Sequence, residues 1–343
     1  MPPTPAKILV IRNDRLGDLM LAYPTLLLLK QTLPRSTLHV LVSEYTREMA
    51  LCCTGVDDVQ IDPGPRAPMS AQLDLLRRLR RERYDAVVAL FSTTRIGLLT
   101  AAASIPYRLA PATKVAQAFF NRRLLQRRSR STKPEYAYNL ELGIKFLADH
   151  GYSQVSIPTP PYLSFPQSEM ESLRARFYGE RGIPAEHRLV FIHPGSGGSA
   201  RNLSIEQYAA LAHRLRSSRP FTLVISAGPG EEGAAAKLEA LTADLARTVY
   251  HSREGLRRFA QHLQLADLFI SGSTGPLHIA GALDRPTAAF YTRRRSATAL
   301  RWQTLNRPER RLAFAPPQTA AEEDMSQVDI AAAAREISER FLG

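Results

Sequence analysis

The chain reads as an α/β protein made of two Rossmann-like, doubly wound domains, and three observations predict it. Short apolar runs alternate with helical patterns along most of the length. Several of these runs break into tight turns, bearing glycine or aspartate, that open directly onto a helix. Open parallel sheets are built from such junctions, and their ligands bind at the strand ends. The third observation is a stretch at 156–167 with Pro158, Pro160, Pro161 and Pro166, which reads as an extended link between two halves. Domains are therefore expected at 1–160 and 161–325, with a closing amphipathic helix in 326–343 that packs back on the first domain.

In the first half, 7–12, 38–42 and 85–91 are strand-like, and 19–33, 46–53 and 71–83 are helical. On the last of these, Leu73, Leu76 and Leu79 are expected to face the core while Arg77, Arg78, Arg80, Arg81 and Arg83 project outward. The region 116–150 reads as helical or irregular with a basic middle. In the second half, 188–193, 221–226, 267–271 and 287–291 are strands, and 205–215, 231–245, 254–263 and 276–283 are helices. A polar stretch at 316–324, with a disordered look, precedes the closing helix at 328–341. Two doubly wound domains joined by a short link predict a cleft between their strand ends.

Composition narrows the function. At 343 residues and 44% hydrophobic, the chain is long enough for two cores without staples. Its two cysteines, Cys52 and Cys53, are neighbours and make neither a disulfide framework nor a zinc site, which fits a reducing cytoplasm. No apolar run reaches the roughly 20 residues that span a bilayer, and the N-terminus lacks the build of a secretory signal. The net charge of +13 is concentrated: 72–133 holds 14 Lys/Arg against three acids. Such a zone points to an anionic partner.

Four junctions carry candidate chemistry. After the first strand, Asn13-Asp14-Arg15-Leu16-Gly17-Asp18 brings two carboxylates to a turn. Asp18 has two readings, a helix N-cap or a base at the mouth of a sheet, and the positive end of a helix favours its ionised form in either. After the strand ending at His193, Gly195, Ser196, Gly197 and Gly198 allow backbone N–H groups to approach an anion, and Arg201 brings a fixed forked cation. The next helix has Ser204 as its expected cap. The third junction, Ser226 to Glu232, contains Glu231, suited to a ribose diol or to a helix start. In the fourth, Ser273 or Thr274 caps a helix whose first turn holds Gly275, Pro276 and His278. Free N–H groups there make an anion site, and His278 faces either ligand or core. The last three junctions together describe a nucleotide-diphosphate site, although neither G-x-G-x-x-G nor a P-loop is present.

These residues resemble glycosyltransferase family 9, the heptosyltransferases of lipopolysaccharide core assembly and their relatives. The resemblance runs over nearly the whole chain. It rests on Arg12 to Asp18 with Pro24, Leu33 and Pro34 following, on the His193-Pro-Gly-Ser loop, and on Ser273-Thr-Gly-Pro-Leu-His-Ile-Ala280 leading to Asp284-Arg-Pro286. It implies a GT-B fold with the acceptor in the N-terminal domain, the nucleotide sugar in the C-terminal one, and inverting transfer of heptose from ADP-heptose. Residue by residue, it implies Asp18 as catalytic base, and Ser196, Arg201, Glu231, Ser273, Thr274, Gly275 and His278 on the donor. Two departures stand out: Arg201 where many heptosyltransferases have Lys, and Ser273 where they have Asp.

The mechanism implied is a single displacement in which Asp18 deprotonates the acceptor hydroxyl while Arg201 and the helix start at Thr274 and Gly275 hold the departing diphosphate. No metal or other cofactor is expected. Asp14, Arg77, Arg80, Arg122, Arg123 and Arg127 are the candidate acceptor contacts, and Asp14 is the next candidate base. The basic zone would draw an anionic glycolipid or the inner-membrane surface, at about 1 kcal/mol per basic residue near it. The expected place is therefore the inner face of the cytoplasmic membrane, as a peripheral protein. Alternatives are another nucleotide sugar in O-antigen or capsule assembly, a GT-B sugar-nucleotide epimerase, or nucleic-acid binding through 72–133. The last is disfavoured by scarce aromatics beside the arginines.

Overall fold

The computed structural model describes residues 4–112, 115–195 and 201–343. The chain divides into two compact units, Met1–Tyr162 and Leu163–Gly343.

The first unit contains β1 (Lys7–Ile11), α1 (Leu16–Met20), α2 (Tyr23–Thr32), β2 (Thr37–Ser43), α3 (Arg47–Cys52) and β3 (Asp58–Asp62). It continues with α4 (Met69–Glu82), β4 (Ala86–Ala89), α5 (Thr94–Ala102), β5 (Tyr107–Pro111), β6 (Arg122–Leu124) and α6 (Glu135–Asp149). Its sheet has the order β3-β2-β1-β4-β5-β6, with every neighbouring pair parallel. Ile8 to Ile11 are all buried, so both faces of β1 are covered, which is why the strand reads as an unbroken apolar run. Leu9 and Ile11 meet Leu75 and Leu79 of α4 and Ile96 and Leu99 of α5 in one core.

Two expectations change here. The predicted helix at 19–33 is two helices, because the chain pauses at Leu21 and Ala22 before Pro24 enters the first turn of α2. On α4 the buried residues are Leu75 and Leu79, while Leu73 is 43% exposed. Positions four apart lie on one helix face, whereas 73 and 75 lie on nearly opposite faces.

The second unit contains α7 (Gln167–Arg181), β7 (Arg188–His193), α8 (Ile205–Arg214), β8 (Phe221–Ala227), α9 (Glu232–Leu241) and β9 (Arg247–His251). It continues with α10 (Gly255–Gln264), β10 (Leu268–Gly272), α11 (Gly275–Ala282), β11 (Thr287–Phe290), β12 (Arg311–Phe314) and α12 (Ile330–Ile337). Its parallel sheet runs β12-β11-β10-β7-β8-β9, the same winding as the first. The closing helix belongs to the second unit. Ala333, Ala334, Ile337 and Leu342 lie in the second unit's core with Tyr208 and Leu211 of α8, and Arg188 binds the carbonyl of Leu342 at 2.8 Å.

In each sheet the chain winds outward to one side of the first strand, then returns to wind to the other. The loops after β1 and β7 therefore emerge at topological switch points, where open α/β sheets place their ligands. No described helix is long and apolar enough to cross a membrane.

Candidate active site

At the end of β1, Arg12 is 2% exposed and gathers the loop around itself. Its Nη2 donates to Asp18 Oδ1, and its Nη1 donates to Glu135 Oε1 at 3.2 Å and to Asn139 Oδ1 at 3.3 Å, both on α6. Its Nε lies 3.0 Å from Asp14 Oδ1, although neither atom is aligned for a hydrogen bond. Arg128 adds a second cation, donating from Nη1 to Glu135 at 2.6 Å. Burial opposes the Arg12 charge, but Asp14, Asp18 and Glu135 outweigh it and hold the guanidinium more firmly protonated than usual. Burial also pushes Asp14 up to about 7; Arg12 works against that rise, and the nearby carboxylates of Asp18 and Glu135 work with it.

Asp18 is not an N-cap. The extended backbone at Arg15 starts the helix one residue later, so Arg15 takes the cap position and Asp18 falls within the first turn. With its Oδ1 held by Arg12, Oδ2 has no protein partner among the described residues. Beside this group, Asp62 at the end of β3 accepts from Asn13 Nδ2, from Arg95 Nη2 at 2.5 Å and from the Gly64 N–H at 3.0 Å, fixing the residue next to Asp14.

The other acceptor candidates lie elsewhere on the unit. Arg77 pairs with Asp74 on the exposed face of α4, and Arg80 donates to the Ala102 carbonyl. Arg122 covers the Tyr107 ring, and Arg123 and Arg127 are exposed. None of these five has a contact with Asp14 or Asp18 among the described residues. Part of the basic zone serves internal contacts instead: Arg78 donates to the Ile61 carbonyl, Arg108 to that of Phe119, and Lys133 to Glu141.

In the second unit, three loops leave adjacent strands β10, β7 and β8 at their carboxyl ends. Buried His193 donates or accepts at Nδ1 with Ser226 Oγ at 3.1 Å, and its Nε2 is 3.3 Å from Glu231 Oε2. Burial lowers its pKa, with Glu231 opposing, so the ring is neutral near pH 7. Glu231 stands at the start of α9 without capping it, and its Oε2 accepts from the Gly228 N–H at 2.9 Å. At that helix start its carboxylate is held from two sides, by the Gly228 N–H and by His193. A Cβ on Gly195 would lie 2.2 Å from the Glu231 carboxyl carbon, which is why the residue after Pro194 has no side chain.

Thr274 occupies the cap position of α11, yet its hydroxyl makes no capping bond and is buried without a partner among the described residues. The expected cap is absent, and Oγ1 with the first N–H groups of α11 is left available to an anion. His278 is buried, its Nδ1 also lacks a partner among the described residues, and burial pushes it down to about 4, so it brings no positive charge at neutral pH. Ser273 is half-buried beside them, and Gly275 begins the helix. Arg201 is exposed; Ser196 lies outside the described residues. Ser204 caps α8 as expected, in a reciprocal capping box with Gln207. Asn202 escaped sequence reasoning: its Nδ2 donates to the Pro194 carbonyl at 3.0 Å and its Oδ1 accepts from the Tyr208 hydroxyl at 2.5 Å, tying the loop after β7 to α8.

Comparison with known proteins decides the family. Residues 72–311 match the profile of glycosyltransferase family 9 (heptosyltransferase). The chain belongs to glycosyltransferase family 9. A Haemophilus influenzae protein provisionally named a glycosyltransferase is 43% identical over 311 residues, covering 91% of this chain and 89% of that protein. Lipopolysaccharide heptosyltransferase 2 of Salmonella typhimurium is 24% identical, covering 83% of this chain and 82% of its own. The structure of the Escherichia coli ADP-heptose lipopolysaccharide heptosyltransferase II superposes with a TM-score of 0.77 at 17% identity over 98% of each chain. The fold is thus GT-B, as the resemblance implied, and the protein is a glycosyltransferase related to the lipopolysaccharide heptosyltransferases. The family profile does not reach the Asp14 and Asp18 loop.

Proposed function

We propose that this family 9 enzyme transfers a heptose from ADP-heptose to a lipopolysaccharide core or related glycolipid acceptor by a single displacement, with inversion and with Asp18 as general base. One observation carries the reading: after β10 the second unit keeps a buried hydroxyl on Thr274 with no partner among the described residues, at a helix start, and after β8 a clamped carboxylate on Glu231, the two strands flanking β7. A polar group left buried without a partner costs stability unless a ligand completes it, and a diphosphate supplies the missing acceptors. Glu231 then accepts from the ribose hydroxyls, and Arg201 answers the phosphate charge without a metal. Asp18, oriented through Oδ1 by Arg12, uses Oδ2 to take the acceptor proton as that oxygen attacks the anomeric carbon. The anomeric bond to the diphosphate breaks, and the leaving oxygen's charge is met by the helix start and Arg201. Asp14 and the exposed arginines contact an anionic acceptor presented at the inner face of the cytoplasmic membrane.

Ser273 and Arg201, where many heptosyltransferases carry Asp and Lys, favour a second reading within the family, transfer of another sugar from its nucleotide in O-antigen or capsule assembly. Calorimetry with ADP-, UDP- and GDP-sugars separates the two, with tightest binding expected for ADP-heptose. Asp18→Asn is expected to keep that binding and lose transfer by at least roughly a hundredfold. Near-normal transfer by the variant would remove Asp18 as the base and turn attention to Asp14.

A further inference from the structure

A cavity of about 590 Å³ opens on the first unit between the segment after β6 and the outer side of α6. None of its lining residues is a hydrogen-bond partner of Arg12 among the described residues, although Gln126 on its wall accepts from Arg128. Its lining is mixed in a particular way: Arg127, Lys133 and Lys145 stand against a single carboxylate, Glu141, and beside them lie Leu124, Leu125 and Ile144. Leu125 is 71% exposed and Ile144 37% exposed, so apolar surface is held in water next to cations. The buried ring of Tyr138 forms part of the wall, with Lys133 Nζ 4.9 Å above its centre. Glu141 answers Lys133 and Asp149 answers Lys145, whereas Arg127 has no carboxylate partner among the described residues. Exposed Arg122, Arg123 and Arg130 extend the positive surface along the same segment.

Exposed aliphatic side chains set among cations are the signature of an element that lies in a membrane interface, where the apolar groups enter the acyl boundary and the cations meet phosphates. A soluble sugar phosphate has no use for the Leu125 and Ile144 wall. A cavity of this size suits a headgroup and its nearest methylenes. We propose that it seats one anionic phospholipid of a bilayer, with the phosphate at Arg127 and Lys133 and the first acyl methylenes against Leu125 and Ile144. The proposal rests on the reading of the acceptor as membrane-borne, and it assigns the docking of the first unit to this cavity.

The test is cosedimentation of the full chain with phosphatidylcholine vesicles, with and without phosphatidylglycerol. Leu125→Ser and Arg127→Ser, singly and together, alter exposed side chains; Arg335→Ser, an exposed arginine of the second unit, is the control for charge alone. Binding to the anionic vesicles is expected to fall roughly tenfold in the double variant, to fall in Leu125→Ser although its charge is unchanged, and to persist in Arg335→Ser. Unchanged binding of the double variant, equal binding to vesicles without phosphatidylglycerol, or full competition by inorganic phosphate would each overturn the proposal. Calorimetry of ADP-heptose on the same samples reads the donor site separately: a wild type that binds vesicles but no nucleotide sugar contradicts the proposed reaction and leaves the cavity assignment standing.

Discussion

Arg12 is the residue on which the first unit's loop depends, and its surroundings make two testable statements. Removing one partner from a buried ion cluster leaves charges without compensation, at a cost of about 3–5 kcal/mol. Arg12→Met is expected to lose that much at pH 8 in urea unfolding. The deficit should shrink at lower pH, as Asp14 takes up its proton. Asp14 behaves in the opposite sense. Its folded pKa, pushed up to about 7, lies above the value of an unfolded aspartate, so the native state holds the proton more tightly. Its ionisation therefore costs stability progressively from about pH 4 to about pH 7, and the cost is complete above that. Asp14→Asn should flatten the stability profile over this window and be more stable than wild type at pH 8, with a ceiling of about 4 kcal/mol. A variant less stable than wild type at pH 8 would contradict the assignment. This network was only half legible in the sequence. Arg12, Asp14 and Asp18 stand within one motif, but Glu135 and Asn139 reach them from α6, more than a hundred residues away, by a packing that no local pattern encodes.

At the scale of elements, the loop after β7 is held at both ends by different means, and two substitutions separate them. Ser204→Ala removes the side-chain cap of α8 and is expected to cost about 1 kcal/mol. Gly272→Ala introduces a Cβ 2.4 Å from Asn202 Oδ1, displacing the amide that fixes Pro194 and Tyr208. It should cost about 1–3 kcal/mol and, unlike Ser204→Ala, weaken ADP binding markedly, as a thermal-shift titration would show. What was readable in the sequence follows from burial. The central strands β1, β7 and β10 are covered on both faces and appear as continuous apolar runs, so their junctions could be placed closely. The strands β3, β6, β9 and β12 are the sheet edges and carry polar or basic residues such as Arg122, Arg123 and Arg311, and so passed as loops or as a surface cluster. The helix α7 was missed for a related reason: its charged residues dominate its composition, and only Met170, Leu173, Phe177 and Tyr178 are buried.

The whole molecule is two sheets of identical winding, each with its own core and its own switch-point loop, and no strand of one sheet belongs to the other. The three junctions assigned to the nucleotide sugar lie in Leu163–Gly343, and so does the closing helix, whose Ile337 and Leu342 fill that unit's core. Cores of this kind support independent folding, and a binding site whose polar groups are all positioned by one core does not need the other to exist. A fragment of residues 163–343 is therefore expected to unfold cooperatively and to bind ADP within about tenfold of the full chain. A fragment of residues 1–162 should fold without binding it. Cutting the second fragment at residue 326 removes Ala333, Ala334, Ile337 and Leu342 from the core and is expected to abolish cooperative unfolding, and ADP binding with it. Circular dichroism melts and calorimetry on the three fragments decide the matter. A folded 163–343 fragment that fails to bind ADP would mean that the first unit contributes to the nucleotide site, contrary to the assignment of Thr274 and Glu231 as its core.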